Sequence, residues 1–141
     1  MKPLKIMLLV LSSMLLLNGC STSDEKASHV LEKEVGTEVV HDKITISPSK
    51  SYEECIELHP GMIIDYEFRS SDDVNFNIHY HSEDKIHYPV SEKGVRKGRG
   101  VIDPAKHDYY IEEQEFYCLM WDNVSYSRVN VSFKCILKKE Q

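Results

Sequence analysis

Cys55, Cys118 and Cys135, together with His79, His81 and His87, are the side chains from which a reactive or metal-binding site could be built. Cys55, Cys118 and Cys135 each lie in a strand-like segment, where a thiol could be a nucleophile, a metal ligand, half of a bridge or a small packed side chain. A catalytic thiol needs an exposed, electropositive setting with a base beside it, and neither "EFYCLMWDN" nor "SFKCILK" offers one. In "NIHYHSEDKIHYPV", His79 and His81 are two residues apart and so share one side of a strand. A hairpin tip at Glu83-Asp84-Lys85 would set Ser82 against Ile86, Tyr80 against Tyr88 and His81 against His87. His79, His81 and His87 would then cluster on one sheet surface, a set suited to Cu(II), Zn(II) or Ni(II). The alternative is a solvated face on which these histidines are ordinary polar strand residues. A blue-copper-type site using Cys118 and the histidines would require an unbridged Cys118, and the close Cys-His-Met spacing of such sites is missing.

All six of these side chains lie in or beside segments that read as strands. Met62, Ile64, Tyr66 and Phe68 alternate with Ile63, Asp65, Glu67 and Arg69; Val74, Phe76, Ile78 and Tyr80 alternate with Asn75, Asn77, His79 and His81. Val129, Val131, Phe133, Cys135 and Leu137 repeat the pattern. Each segment reads as a half-buried strand. Shorter candidates at 43–47, 52–58, 86–90, 99–102 and 107–111 bring the count to about seven to nine, with Asp72-Asp73 as a turn and the Gly94, Gly98, Gly100 region as a mobile basic loop. No long helical period follows residue 43. The chain is therefore expected to be all-β, an antiparallel β-sandwich or jelly roll. In strand 115–121, placing Phe116, Cys118 and Met120 in the core points Tyr117, Leu119 and Trp121 outward. Beside strand 74–81 this would give a binding surface of Asn75, Asn77, Tyr117 and Trp121 bordering His79 and His81, unless the tether or a loop covers it.

The first 23 residues bear on compartment. Lys2 and Lys5 precede an apolar run from Ile6 to Leu17, and Leu17-Asn18-Gly19-Cys20 follows. This is the layout of a secretory signal, too short for an ordinary spanning helix. A cysteine directly after Leu-x-Gly resembles the lipobox of bacterial lipoproteins, which implies removal of residues 1–19 and attachment of acyl chains such as palmitate to Cys20. Several chains exceed what stable membrane anchoring needs. Ser21 after that cysteine implies, by resemblance to Gram-negative lipoproteins, an outer-membrane location facing periplasm or surface if the host is Gram-negative, and a lipid-anchored place in the cell envelope in either case. Residues 20–42 read as a flexible tether with at most a helical turn near Val30–Val35, reaching on the order of 25 Å, and residues 43–141 as one domain. Without Lys2 and Lys5 the chain has 15 basic and 23 acidic side chains, a net charge of −8 that argues against nucleic acid as a partner.

"ECIELHPGMIIDYEF" followed by "EFYCLMWDNVSYSRVNVSFKCIL" resembles the GOLD (Golgi dynamics) domain, a β-sandwich of cargo-sorting and lipid-transfer proteins. Cys55, Gly61, Cys118, Asn123 and Ser127 fall on the positions that carry this likeness, which spans roughly residues 43–138. Cys135 has no counterpart there, and Gln141 closes the sequence without the coiled coil, transmembrane helix and cytoplasmic tail found in sorting proteins. What the resemblance implies is a fold and a general role in binding proteins or lipids. It also implies a Cys55–Cys118 disulfide. A hairpin pairing Trp121 with Arg128 would agree, since it sets Cys118 against Val131 and Cys135 against Gln114, too far apart to bridge. Cys135 is then expected to pack as a small hydrophobe. Together these features describe a non-enzymatic envelope lipoprotein, anchored to the membrane, whose domain contacts a protein, glycan or lipid without a cofactor. The alternative is Cu or Zn handling by the histidines. No acid–base or nucleophile motif points to an enzyme.

Overall fold

The computed structural model describes residues 29–31 (backbone only), 34–107 and 111–140. Cys20, the signal segment and the first part of the expected tether lie outside these residues, as do residues 108–110 of the short candidate strand at 107–111. The rest is almost entirely strand: β1 His29–Leu31, β2 Glu38–Ile46, β3 Ser51–Leu58, β4 Met62–Ser82, β5 Lys85–Ile102, β6 Glu115–Asp122 and β7 Val129–Lys139, with a 3-10 turn at Pro104–His107. Regular pairing thus begins within 20–42: β1 lies parallel to β3, with Val30 opposite Cys55, where a helical turn was expected, and β2 starts at Glu38.

The architecture hangs on β4, a 21-residue strand where two shorter ones were expected. Its first half pairs with β7 (Met62 to Ser70 against Lys139 to Val131) and its second with β6 (Asn75 to His79 against Asp122 to Cys118). Between them the register shifts, and Asp72-Asp73 mark this irregularity instead of a chain-reversing turn. β5 follows β4 along nearly its whole length. One layer is therefore β2-β7-β4-β5 and the other β1-β3-β6-β4-β5, continuous through the bent β4/β5 ribbon. The two layers close on a core of aromatic rings. Consecutive strands β6 and β7 are not ladder neighbours; they face each other across the core, with the Trp121 and Phe133 rings stacked 4.7 Å apart. The hairpin expected between them does not form, so Cys135 lies against Val39 and Tyr66 rather than near Gln114.

The core follows the alternation. Ile64, Tyr66 and Phe68, then Val74, Phe76, Ile78 and Tyr80, and all of Val129, Val131, Phe133, Cys135 and Leu137 are buried. Cys135, the cysteine outside the bridge, packs among these apolar side chains as expected. The glycines of the basic segment have a different role from the mobile loop expected of them. Gly98 and Gly100 sit within β5 opposite Phe68 and Tyr66, whose rings lie over the glycine backbones. A Cβ at Gly98 would come 2.3 Å from Phe68 Cε1, and that ring is held 4.4 Å from Phe76 and edge-on to Trp121 at 5.7 Å. We expect Gly98→Ala to cost about 1–3 kcal/mol in chemical denaturation, and much less in a Phe68→Leu background, where the clash is absent.

Candidate functional site

The Cys55–Cys118 bridge marks the outer surface of the β3-β6-β4-β5 layer. The two cysteines oppose each other across β3 and β6, with Cα atoms 3.9 Å apart and S–S 2.05 Å. In β3, Tyr52, Glu54, Ile56 and Leu58 turn inward while Ser51, Glu53, Cys55 and Glu57 turn outward, because adjacent side chains point to opposite faces. The bridge carries this parity into β6. Phe116, Cys118, Met120 and Asp122 lie on the outer side, and Tyr117, Leu119 and Trp121 are fully buried.

This reverses the orientation expected from sequence. Period two decides which residues of a strand share a face but not which face is inside. Trp121, at 0% exposure, is surrounded by the rings of Phe68, Phe76, Phe133 and Tyr52. Tyr117 packs against Tyr80, with ring centroids 4.8 Å apart. Neither can be part of a binding surface. Asn75 and Asn77 are partly exposed, on the outward side of β4 as expected, opposite Asp122 and Met120 of β6.

The histidines are also placed differently. The β4/β5 turn is a two-residue loop, Glu83-Asp84, with both residues at positive φ (52° and 60°), so Ser82 pairs with Lys85, His81 with Ile86 and Tyr80 with His87. That one-residue difference sends His87 to the inner side, where its ring stacks on Tyr80 at 4.8 Å. His79 and His81 share the outer face, ring centroids 5.4 Å apart. His79 is buried, with Nδ1 2.8 Å from Asn77 Oδ1 and Nε2 3.1 Å from Glu53 Oε1. The three-imidazole cluster is therefore not assembled. Among the described residues, Glu53, Cys55 and Cys118 have closely grouped donor atoms, but the two sulfurs are consumed by the bridge and offer no thiolate.

What this surface does assemble is a mixed apolar and polar patch. Ile86 and Tyr88 from β5 are 49% and 56% exposed, and Phe116 and Met120 from β6 are half-buried. The Tyr88 ring lies 5.7 Å from that of His79, joining the β5 side chains to the histidine pair. Glu53, Glu57, Asn77 and His81 supply polar groups, and His59 Nε2 stands 3.4 Å from Glu57 Oε1. Ile86, Tyr88, Phe116 and Met120 were not singled out from sequence. The signal available for β6 was Cys55 between Glu53 and Glu57: a cysteine on a charged face must have its bridge partner on that face too.

Two buried polar features complete the setting. Asn123 organises the crossing from β6 to β7: its Nδ2 donates to the carbonyls of Ile46 (2.9 Å) and Ser127 (2.7 Å), and its Oδ1 accepts from the Ser125 N–H and hydroxyl. Glu54 points into the core at 0% exposure; the Tyr52 hydroxyl donates to its Oε2 at 2.8 Å and His41 Nε2 lies 3.7 Å from the same oxygen. Burial pushes the Tyr52 phenol well above its ordinary range, reinforced by the Glu54 hydrogen bond and charge. Burial likewise raises Tyr66, helped by Glu92 and Cys135. An unfolded phenol releases its proton near pH 10 while these two hold theirs, so above that pH the unfolded chain binds fewer protons and stability falls as pH rises. The contribution is fully present below the ordinary phenol range. Urea midpoints measured across the alkaline range are expected to drop, and Tyr66→Phe to flatten the drop.

The class these features define is an all-β sandwich with one cross-strand disulfide. No family model matches the chain, and no curated protein does. Among solved structures it is similar in fold to the Yersinia pseudotuberculosis-derived mitogen, with a TM-score of 0.51 and 12% identity over 72% of this chain and 86% of that one.

Proposed function

We propose that this protein is a non-enzymatic binding module of the bacterial envelope, anchored through lipid on Cys20, which contacts a protein partner through the outer surface around the Cys55–Cys118 bridge. The observation that carries the reading is the exposure of Ile86 and Tyr88 beside half-buried Phe116 and Met120 on the outer face of this layer. Contiguous apolar side chains rimmed by polar groups are typical of contact surfaces, and aromatic residues and methionine are enriched in protein interfaces. The lipobox-like Leu17-Asn18-Gly19-Cys20 supports the anchor, and the residues resembling the GOLD domain support an interaction role. The mitogen's similarity supports the architecture only. His81 serves this surface as a polar contact, while His79 is buried against Asn77 and Glu53; with His87 on the opposite side of the sheet, no observation favours the metal reading over this one.

The test is an Ile86→Asp/Tyr88→Asp variant. Both side chains are exposed, so the urea midpoint is expected to stay within the error of wild type, while association with envelope proteins, followed by chemical crosslinking of intact cells, is lost. Unchanged crosslinks in a folded variant would refute the proposal.

A further inference from the structure

The opposite layer carries a second site, independent of the reading above. β2, β7, β4 and β5 curl around an open groove of about 800 Å³, within the range of small-molecule sites. Its outward side chains form cross-strand rows: Lys97, Arg69 and Ser132 in one, and Arg99, Glu67 and Lys134 in the next, with Val40 and Asp42 from β2 at the side. Four cations and two carboxylates line it, a local positive balance on a chain of net charge −6.

The charges of this layer sort themselves. Lys134 pairs with Glu38, Lys138 with Asp65, and Arg96, further along β5, with Asp72 and Asp73. Arg69, Lys97 and Arg99 are left without an ion pair to any described residue, although Glu67 stands directly across from Arg99. Arg69 and Lys97 oppose each other across β4 and β5, and Arg99 follows two residues on, on the same face. Two guanidinium forks and an ammonium lining one groove offer the donors that a tetrahedral oxyanion takes, since arginine donates two parallel hydrogen bonds to phosphate and lysine adds a point charge. The Ser132 hydroxyl, opposite Arg69, is a further donor.

We propose that this groove binds a small soluble phosphate ester of about sugar-phosphate size, held by Arg69, Lys97 and Arg99. Size and charge both favour a discrete ligand over an anionic bilayer. The groove is concave, Asp42 and Glu67 stand among its cations, and the net negative charge of the chain repels an extended anionic surface.

The experiment is calorimetric titration of glucose 6-phosphate into the full chain at low salt, with glucose and vesicles of phosphatidylglycerol and phosphatidylcholine as parallel arms. Glucose 6-phosphate is expected to bind with an affinity that falls as salt rises, and glucose and the vesicles to give no heat. Arg69→Gln/Arg99→Gln is expected to weaken binding by at least about tenfold, and Lys138→Gln, whose side chain is engaged by Asp65 outside the groove, to leave it within about twofold. Absence of glucose 6-phosphate binding to wild type, equal binding by the folded double variant, or binding to the vesicles alone would overturn the proposal; the last would assign the groove to lipid headgroups.

Discussion

Trp121→Ala will destabilise the domain by about 3–5 kcal/mol, the range for removing a large aromatic from a packed core. Trp121 is fully buried between the two layers, with ring contacts to β3, β4 and β7, and its loss would leave Phe68, Phe76 and Phe133 facing a void. Against a total stability of about 5–15 kcal/mol for a domain of this size, such a variant sits at the edge of folding. Trp121→Phe is expected to cost far less. The Trp121 Nε1–H has no acceptor among the described residues, so phenylalanine gives up some volume but also removes an unsatisfied buried donor. Urea unfolding of the three proteins gives the comparison. Were Trp121 on the binding surface, the alanine variant would keep its stability and lose only its partner.

Reduction of the Cys55–Cys118 bridge comes next in size. It closes a loop with a sequence separation of 63, worth about 4 kcal/mol in the chain-entropy model. With a urea slope of about 2 kcal/mol/M, the midpoint should fall by roughly 2 M in reductant or in a Cys55→Ala/Cys118→Ala variant. Cys135→Ala is expected to cost about 1 kcal/mol, the loss of a small buried side chain outside the bridge. The contrast separates the two kinds of cysteine in one experiment.

How much of this was legible in the sequence depends on which physical rule was in play. Alternation around Tyr66, Ile78 and Val131 was sufficient to assign strands and most of the core, because half-buried strands must alternate. Strand connectivity was less visible: a 21-residue β4 that changes partner midway is set by tertiary pairing, and the Asp72-Asp73 irregularity looks locally like a turn. The orientation of β6 was available but needed two strands read together, since Glu53 and Glu57 fix the outward face of Cys55 and the bridge transmits it to Cys118. The His81 register turned on whether the loop held two residues or three, and Glu83 and Asp84 adopt the left-handed conformation more often supplied by Asn or Gly. Gly98 and Gly100 resembled a flexible loop because the rings that require them belong to a neighbouring strand.

The most direct measurement for the proposed contact surface is site-specific photocrosslinking in intact cells, with the photoreactive side chain at position 88 in one strain and at position 99, on the other layer, in a second. Discrete protein adducts are expected from position 88, absent when Ile86→Asp is added, and none of the same mass from position 99. Identical adducts from both positions, or none from position 88, would contradict it.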